Sequence, residues 1–333
     1  MIFTEGRMRS FRHPVWAMGL ALITALMLQP TPALAGICHY ENLMPEFFAF
    51  RARTRDLAPE ARAEKFMTEI AARHPEFYGD KDDFRSPEAL RKASLRLLDP
   101  AHPEALPGFA PLTEERLRAG ADTVESDFAT GQEKFLKAFP DFRCEDDIAF
   151  GPSFLHFDGH EYKDERGQGH MLFGVDAIAA LHGPEDMPAF YAHELFHIYH
   201  RQLMGAAMPS DDLAWWEMWE EGLATYVSQR LNSGLDAQHV LWFPKDMVRQ
   251  MQAPGVTARA AKLLLADFDK TGDTHWFVSG QGPAAGLPPR AGYYMGYLLA
   301  RELGKNHPLA WLAHLPPDQV KAHAHAFLEA QAG

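Results

Sequence analysis

The sequence predicts a predominantly helical α+β fold, with a small antiparallel sheet packed beside a helix that carries an H-E-x-x-H run. Apolar residues recur at three- and four-residue steps through most of residues 46–140 and again through 235–333, which is typical of helices. Residues 147–177 instead contain short apolar runs between turn residues, which is typical of strands. The H-E-x-x-H run follows directly, at residues 193–197.

The region before the sheet is predicted to consist of helices. Pro59 opens a helical pattern that continues to Ala72, and proline suits a first helical turn. The longest helix is expected over Leu112 to Phe139, with Thr113 as its N-cap and Pro140 as its terminator. We find no catalytic cluster in this part of the sequence.

The predicted sheet consists of short strands joined by polar turns. Glycine and aspartate favour turns, whereas aromatic and β-branched residues favour strands. The expected strands are Ile148 to Phe150, Phe154 to Phe157 and His170 to Val175, and the expected turns are Asp158-Gly159 and Glu161 to Gly169.

The helix after the sheet carries His193-Glu194-Leu195-Phe196-His197. It is expected to begin near Asp186, with Pro188 in its first turn, and to end at Gly205. Residues four apart lie one above the other on the same face of a helix. Both imidazoles can therefore bind one metal ion from one side, and Glu194 can reach a water bound to that ion.

A second helix is expected to supply a third metal ligand, because two histidines alone leave a tetrahedral zinc ion short of one. This helix is predicted from residue 210 or 211 to residue 231. If the two helices are antiparallel, Glu221 comes level with His197. Glu220 is an alternative, but the Glu-Gly-x-Ala run favours Glu221. The sequence thus predicts one Zn²⁺ on His193, His197 and Glu221.

Such a site has the chemistry of a catalytic zinc centre, since its fourth position stays open to water. Zinc lowers the pKa of its water and polarises a bound carbonyl. Glu194 would take the proton and deliver it to the leaving amine. The oxyanion that forms needs a second donor, and the three tyrosines of Gly292 to Tyr297 are suited to that role. Arg290, just before them, could bind a carboxylate.

With these motifs the chain resembles the gluzincins, the metallopeptidase group of thermolysin and aminopeptidase N. It is most similar to uncharacterised bacterial families of predicted zinc-dependent proteases. The resemblance covers roughly residues 147–303 and rests on three motifs. They are His193-Glu194-x-x-His197, Glu221-Gly222-x-Ala224-x-Tyr226 and Gly292-Tyr293-Tyr294-x-Gly296-Tyr297. The resemblance implies zinc on the two histidines and Glu221, with Glu194 as the general base.

The resemblance also bears on the oxyanion and the substrate. In aminopeptidase-like gluzincins the tyrosine of a Tyr-x-x-Gly motif faces the oxyanion, which implies Tyr293 here and Tyr294 as the next candidate. In the same group a glutamate on an upstream strand holds the free amine of the substrate. This chain has Leu172 at that position, so we do not expect an amine anchor there. The strand around Leu172 could still pair with an extended peptide.

The first 35 residues have the pattern of a secretory signal peptide. Three arginines precede the apolar run of residues 15–28, and Ala33-Leu34-Ala35 is a small-x-small cleavage site. We therefore expect cleavage after Ala35 and a periplasmic or secreted protein. Cys38 and Cys144 are the two cysteines, and in an exported chain they are expected to form one disulfide.

The predicted organisation is a signal peptide over residues 1–35, a helical region over 36–146 and a gluzincin-like metallopeptidase domain over 147–333. The formal net charge of −13 disfavours nucleic acid as a partner, and no segment after the signal peptide is long and apolar enough to span a membrane. The predicted function is hydrolysis of peptide bonds in a peptide or protein substrate. Two alternatives remain open: a non-catalytic, zinc-containing peptide-binding envelope protein, and a zinc amidase acting on cell-wall material.

Overall fold

Helices form most of the fold. The computed structural model describes residues 36–79, 86–98, 111–210, 212–242, 245–271, 277–278 and 286–333. The predominance of helices beside one small sheet confirms the predicted α+β class. In chain order the helices are α1 (Met44–Thr54), α2 (Pro59–Glu69), α3 (Pro75–Tyr78), α4 (Pro87–Leu98), α5 (Glu114–Ala138), α6 (Val175–Leu181), α7 (Met187–Met204), α8 (Ala214–Leu231), α9 (Ala237–Leu241), α10 (Met247–Met251), α11 (Val256–Ala266), α12 (Ala291–Leu303), α13 (Leu309–Ala313) and α14 (Pro317–Ala332).

The sheet is mixed, so the prediction of an antiparallel sheet was wrong. Its strands are β1 (Tyr40–Asn42), β2 (Asp147–Gly151), β3 (Gly159–Lys163) and β4 (Gly169–Gly174). Their order is β1-β2-β4-β3. The pairs β1–β2 and β2–β4 are parallel, and only β3 and β4 are antiparallel. Because β4 is central, β3 forms one edge of the sheet.

A buried carboxylate explains why the predicted strand at residues 154–157 is a turn. Phe154 and Leu155 have positive φ angles of 56° and 62°, which no strand allows. The carboxylate of Asp176 accepts hydrogen bonds of 2.6 Å from the backbone N–H groups of Ser153 and Leu155. These bonds satisfy two backbone N–H groups that, in a strand, would donate to a neighbouring strand. The expected turn at residues 158–159 instead leads directly into β3.

The predicted disulfide between Cys38 and Cys144 is present. It follows from the parallel pairing of β1 with β2, in which Tyr40 lies opposite Ile148. Adjacent parallel strands begin at the same end of the sheet, so the segments just before β1 and β2 are neighbours. The bond ties the start of the described chain to the segment that enters the sheet.

Helices α5, α7 and α8 largely follow the predicted boundaries. Thr113 is the N-cap of α5, and its hydroxyl accepts the N–H of Arg116 at 3.2 Å. Helix α7 ends at Gly205, which has a φ of 50°. Helix α8 begins at Ala214, a few residues later than predicted, and ends at residue 231 as predicted. Asp211, one of the two expected caps, lies outside the described residues.

The described residues, which begin at Gly36, form one compact unit. Within it, β1 pairs with β2 and α5 packs against α7, so elements from before and after residue 147 share one core. The predicted signal peptide, residues 1–35, lies outside the described residues. Among the described helices, none has both the length and the apolar character needed to cross a bilayer.

Candidate metal centre

Three side chains from α7 and α8 converge on one point. Nε2 of His193 lies 3.0 Å from Nε2 of His197. Oε2 of Glu221 lies 3.2 Å from Nε2 of His193 and 3.6 Å from Nε2 of His197. The two histidines are one turn apart on α7, and Glu221 faces them from the middle of α8. The structure therefore brings together the three predicted ligands.

Nε2 of His193, Nε2 of His197 and Oε2 of Glu221 form a triangle whose size fits the ligands of a tetrahedral metal ion. Ligand atoms about 2.0–2.1 Å from a zinc ion at tetrahedral angles are separated by about 3.3–3.4 Å. The observed separations of 3.0, 3.2 and 3.6 Å bracket that value. Each residue contributes one ligand atom of a type that binds divalent metals. This group can accordingly hold a metal ion.

The protonation of these side chains also suits metal binding. Burial lowers the pKa of His193 to about 4, so its imidazole is neutral. Burial alone would raise the pKa of Glu221, but the charge of His197 and the hydrogen bond from His193 hold it well below the usual range. Burial alone would lower the pKa of His197, but the charge of Glu221 and the nearby carboxylate of Glu220 raise it. The metal-free site thus holds a proton on His197.

Glu194 lies beside the triangle, against the first residue of β3. A Cβ atom on Gly159 would lie 2.7 Å from the carboxyl carbon of Glu194, so only glycine leaves room for that carboxylate. Burial, followed by the nearby charges of Asp158 and Glu221, raises the pKa of Glu194 to about 8, although the charge of His197 opposes this. Without a metal ion, this carboxyl is mostly protonated at neutral pH.

Glu220 lies on the opposite side of His197 from Glu221. Its Oε1 is 3.9 Å from Nδ1 of His197, whereas Glu221 faces Nε2. A carboxylate on the second ring nitrogen is a common way to orient a metal-binding histidine. The geometry therefore separates the two neighbouring glutamates, with Glu221 at the triangle and Glu220 behind one of its members.

Two glycines allow α12 to approach the triangle. A Cβ atom on Gly222 would overlap the backbone of Gly296, and a Cβ atom on Gly296 would overlap the carbonyl of Met218. Helices α8 and α12 therefore cross with no side chain between them. Tyr293 lies three residues before Gly296 and on the same face of α12. Its ring is parallel to that of His193, with the ring centroids 6.3 Å apart.

Arg290 lies over the face of Tyr293. Its Cζ is 3.7 Å from the centroid of that ring and 5.9 Å from that of Trp242. Arg290 precedes α12 with a φ of 59°, a left-handed conformation that is rare for arginine. Burial raises the pKa of the Tyr293 hydroxyl, and so does the charge of Glu221, whereas the charge of Arg290 lowers it. The guanidinium thus makes this buried hydroxyl a better hydrogen-bond donor.

Tyr294, the other predicted catalytic tyrosine, does not line this cavity. It is buried on another side of α12, and its hydroxyl lies 3.5 Å from Nε2 of Gln252. The third tyrosine, Tyr297, donates its hydroxyl to Gln229 at 2.7 Å. Helical periodicity explains the difference, because adjacent residues on a helix point about 100° apart. Of the three candidates, the structure brings Tyr293 to the metal-binding group.

An open cavity of about 900 Å³ surrounds the group, and β3 forms one wall of it. The strand along the cavity is thus β3, not the segment around Leu172. Leu172 lies in β4, the strand between β2 and β3, and is 1% exposed. The other walls come from α7, α8, Trp242 and the start of α12.

A second group of metal-binding side chains has a different character. Glu41, His74 and Glu76 also have ligand atoms close together. The side chain of Glu41 is 57% exposed, and Nε2 of His74 lies 3.0 Å from Oε2 of Glu46. One histidine among three partly exposed glutamates is well explained as a surface ion-pair cluster.

Several residues of the cavity carried no sequence signal. Asp158 accepts a hydrogen bond of 2.8 Å from His182 and lies just before β3, where the sequence indicated only a turn. Trp242 packs on His193 with the ring centroids 5.3 Å apart, and its φ is 54°. Both positions depend on contacts between elements far apart in sequence.

Comparisons with models of protein families, with curated proteins and with solved structures gave no match.

Proposed function

We propose that this chain is an exported zinc-dependent peptidase of the gluzincin type. The observation that carries the proposal is the triangle of His193, His197 and Glu221, with sides of 3.0, 3.2 and 3.6 Å. Glu194 and Tyr293 lie on the same cavity, in positions suited to a general base and a hydrogen-bond donor. A site that only binds a metal ion needs neither a general base nor a hydrogen-bond donor for a substrate.

Zinc bound by the triangle would polarise a substrate carbonyl and acidify a water. Glu194 would accept the proton of that water and pass it to the leaving amine. Tyr293 would donate its hydroxyl to the oxyanion formed from the attacked carbonyl. Arg290 would strengthen that donor through its position over the ring.

The edge strand supports a peptide as the substrate. Among the described strands, β3 pairs only with β4, and all five of its residues line the cavity. An exposed strand edge presents N–H and C=O groups at the spacing of an extended peptide. A polypeptide paired with β3 would place its carbonyls beside Glu194, since Gly159 contacts that carboxylate.

Export is supported by two independent features. Residues 1–35 have the sequence pattern of a signal peptide, which would direct secretion. The disulfide between Cys38 and Cys144 is compatible with an oxidising compartment. We therefore propose that the mature protein acts in the periplasm or outside the cell.

The test is to incubate the zinc-loaded protein with a peptide library, with casein and with purified peptidoglycan, and to identify products by mass spectrometry. Cleaved peptide bonds in the library or in casein, abolished by a chelator and restored by zinc, are the expected result. Release from peptidoglycan alone would instead identify a cell-wall amidase. Stoichiometric zinc without any turnover would identify a binding protein.

A further inference from the structure

A second, smaller cavity lies in the N-terminal helical region, outside the metal-binding group. It has a volume of about 290 Å³, and α1, α2, the end of α4 and the start of α5 surround it. Among the described residues, its charged lining consists of four arginines and one glutamate: Arg51, Arg55, Arg62, Arg118 and Glu114. The wall of this cavity is therefore strongly cationic, although the chain as a whole carries a formal charge of −13.

Arg62 belongs to the framework of this cavity. It is 7% exposed, and its guanidinium donates hydrogen bonds to four backbone carbonyls. The four carbonyls belong to Thr54, which ends α1, to Arg55 and Leu57, which follow it, and to Leu98, which ends α4. The N–H donors of Arg62 thus hold these segments together. Its guanidinium also gives the cavity wall a positive charge in a fixed position.

Arg51 has donors that the fold does not use. It is 8% exposed, and its Nη2 lies 2.8 Å from Oε2 of Glu114. Its Nε and Nη1 are buried and have no hydrogen-bond partner among the described residues. The rings of Phe47 and Phe48 lie 5.5 and 6.0 Å from its Cζ, but they offer no conventional acceptor. Leaving such donors unpaired in a buried guanidinium is costly.

The remaining charges do not neutralise this wall. Glu114 is shared, because its Oε1 lies 2.8 Å from Nε of Arg118 while its Oε2 faces Arg51. Arg118 also lies over the ring of Phe48 at 4.4 Å, which fixes its direction. Arg55 contacts Asp56 at 3.5 Å, but both of these side chains are largely exposed. Within the part of the chain that the structure describes, one carboxylate of the cavity therefore faces four guanidiniums.

We propose that this cavity binds a phosphate group, with Arg51 as its central ligand. A guanidinium donates two parallel hydrogen bonds to an oxoanion through Nε and Nη2 or through Nη1 and Nη2. Each of these pairs contains one Arg51 donor that has no partner among the described residues, together with Nη2, which carries two hydrogens. A dianionic phosphate matches a wall with several fixed positive charges better than a single carboxylate does. The phosphate could belong to a soluble phosphate ester or to a lipid headgroup, since both present the same oxygens.

The experiment is a titration of the full chain with inorganic phosphate, followed by calorimetry and by ³¹P NMR line broadening, against chloride at equal ionic strength. We expect saturable binding of phosphate that weakens at least tenfold in Arg51→Gln. Arg51→Lys keeps the charge but loses the fork, so it should bind with intermediate affinity. Arg53→Gln is the matched control, because Arg53 is on the same helix, 46% exposed and paired with Glu69.

Two further arms distinguish the sources of the phosphate. Sedimentation with phosphatidic acid vesicles, beside phosphatidylcholine vesicles, tests a lipid headgroup, and glycerol phosphate tests a soluble ester. Arg51-dependent binding in either arm supports the site and names its source. Equal binding by wild type, Arg51→Gln and Arg51→Lys, or binding no stronger than that of chloride, would overturn the proposal. Circular dichroism of each variant shows whether it is folded.

Discussion

Gly222 of α8 and Gly296 of α12 lie backbone against backbone, and a Cβ atom on either would overlap the other helix. This contact links the two motifs that surround them. Glu221 precedes Gly222, and Tyr293 lies one turn before Gly296, so the crossing sets the position of a metal-ligand candidate relative to a hydroxyl donor. The close packing of the two helices therefore requires both glycines, and the relative position of Glu221 and Tyr293 depends on that packing.

The first prediction concerns this crossing. Gly222→Ala should lower the free energy of unfolding by at least about 2 kcal/mol, because the new methyl group meets backbone that cannot rotate away. The gain in helix propensity from alanine, about 0.5–1 kcal/mol, is too small to offset this. Urea unfolding measures the effect. Gly234→Ala is the control, since a Cβ there meets nothing within 4 Å, and an equal effect in both variants would contradict the prediction.

The second prediction separates stability from catalysis at Gly159. A methyl group there meets the carboxylate of Glu194, the flexible end of a side chain, so the fold should yield at little cost. We expect Gly159→Ala to keep its melting temperature and zinc content but to lose about tenfold or more in kcat, because the base is displaced. Peptide hydrolysis by Gly159→Ala beside Gly234→Ala measures this. Wild-type kcat in Gly159→Ala would refute the assigned contact.

The third prediction concerns Tyr293 and Arg290. Tyr293→Phe should lower kcat by about 10²–10³-fold with unchanged zinc content, the usual effect of losing one oxyanion donor. Arg290→Gln should also lower kcat, since the guanidinium lies 3.7 Å from the centre of the Tyr293 ring. If Arg290 acts through that hydroxyl, it should add little to the loss in the Tyr293→Phe background. Losses that multiply in the double variant would show that Arg290 acts independently. Tyr294→Phe is the matched control, because its hydroxyl faces Gln252.

The fourth prediction is that zinc binding releases protons. At pH 7 the metal-free site holds a proton on His197, whose pKa is raised, and, in most molecules, a second proton on Glu194, whose pKa is about 8. Zinc displaces the first and, by its positive charge, lowers the pKa of Glu194 and expels the second. His193, with a pKa of about 4, has no proton to release at pH 7.

Calorimetry in buffers of different ionisation enthalpy measures this release. Glu194→Gln should release about one proton fewer than wild type at pH 7. The difference should shrink above pH 8, where Glu194 of the metal-free protein is increasingly ionised before zinc arrives. A difference between the two proteins that does not depend on pH would contradict the raised pKa of Glu194.

The helices of the site were predictable because their signals are local. Pro188 and Gly205 mark the ends of α7, and Thr113 caps α5, each through an interaction within one turn of the chain. The side-by-side position of His193 and His197 follows from helical periodicity alone. Glu221 required one further assumption, that α7 and α8 are antiparallel. The structure agrees with it, because His200 near the end of α7 packs on Trp216 at the start of α8, whereas the earlier His193 lies against Glu221.

The sheet was less predictable because its topology depends on distant contacts. Phe154 and Leu155 have the composition of a strand, but the carboxylate of Asp176 holds them in a turn. Asp158 and Gly159 have the composition of a turn, yet β3 begins there because its backbone pairs with β4. The choice between Tyr293 and Tyr294 likewise depended on where α12 crosses α8, which no local pattern specifies.

The most direct test of the central claim is the rate of peptide hydrolysis by Glu194→Gln, measured beside wild type at equal zinc content. Glu165→Gln, in the exposed turn between β3 and β4, is the control for the loss of one acidic residue. If Glu194 is the base of a zinc peptidase, the variant should retain its zinc and lose about 10²–10⁴-fold in kcat. A zinc-loaded Glu194→Gln protein that cleaves peptides as fast as wild type would contradict the assigned base and the mechanism built on it.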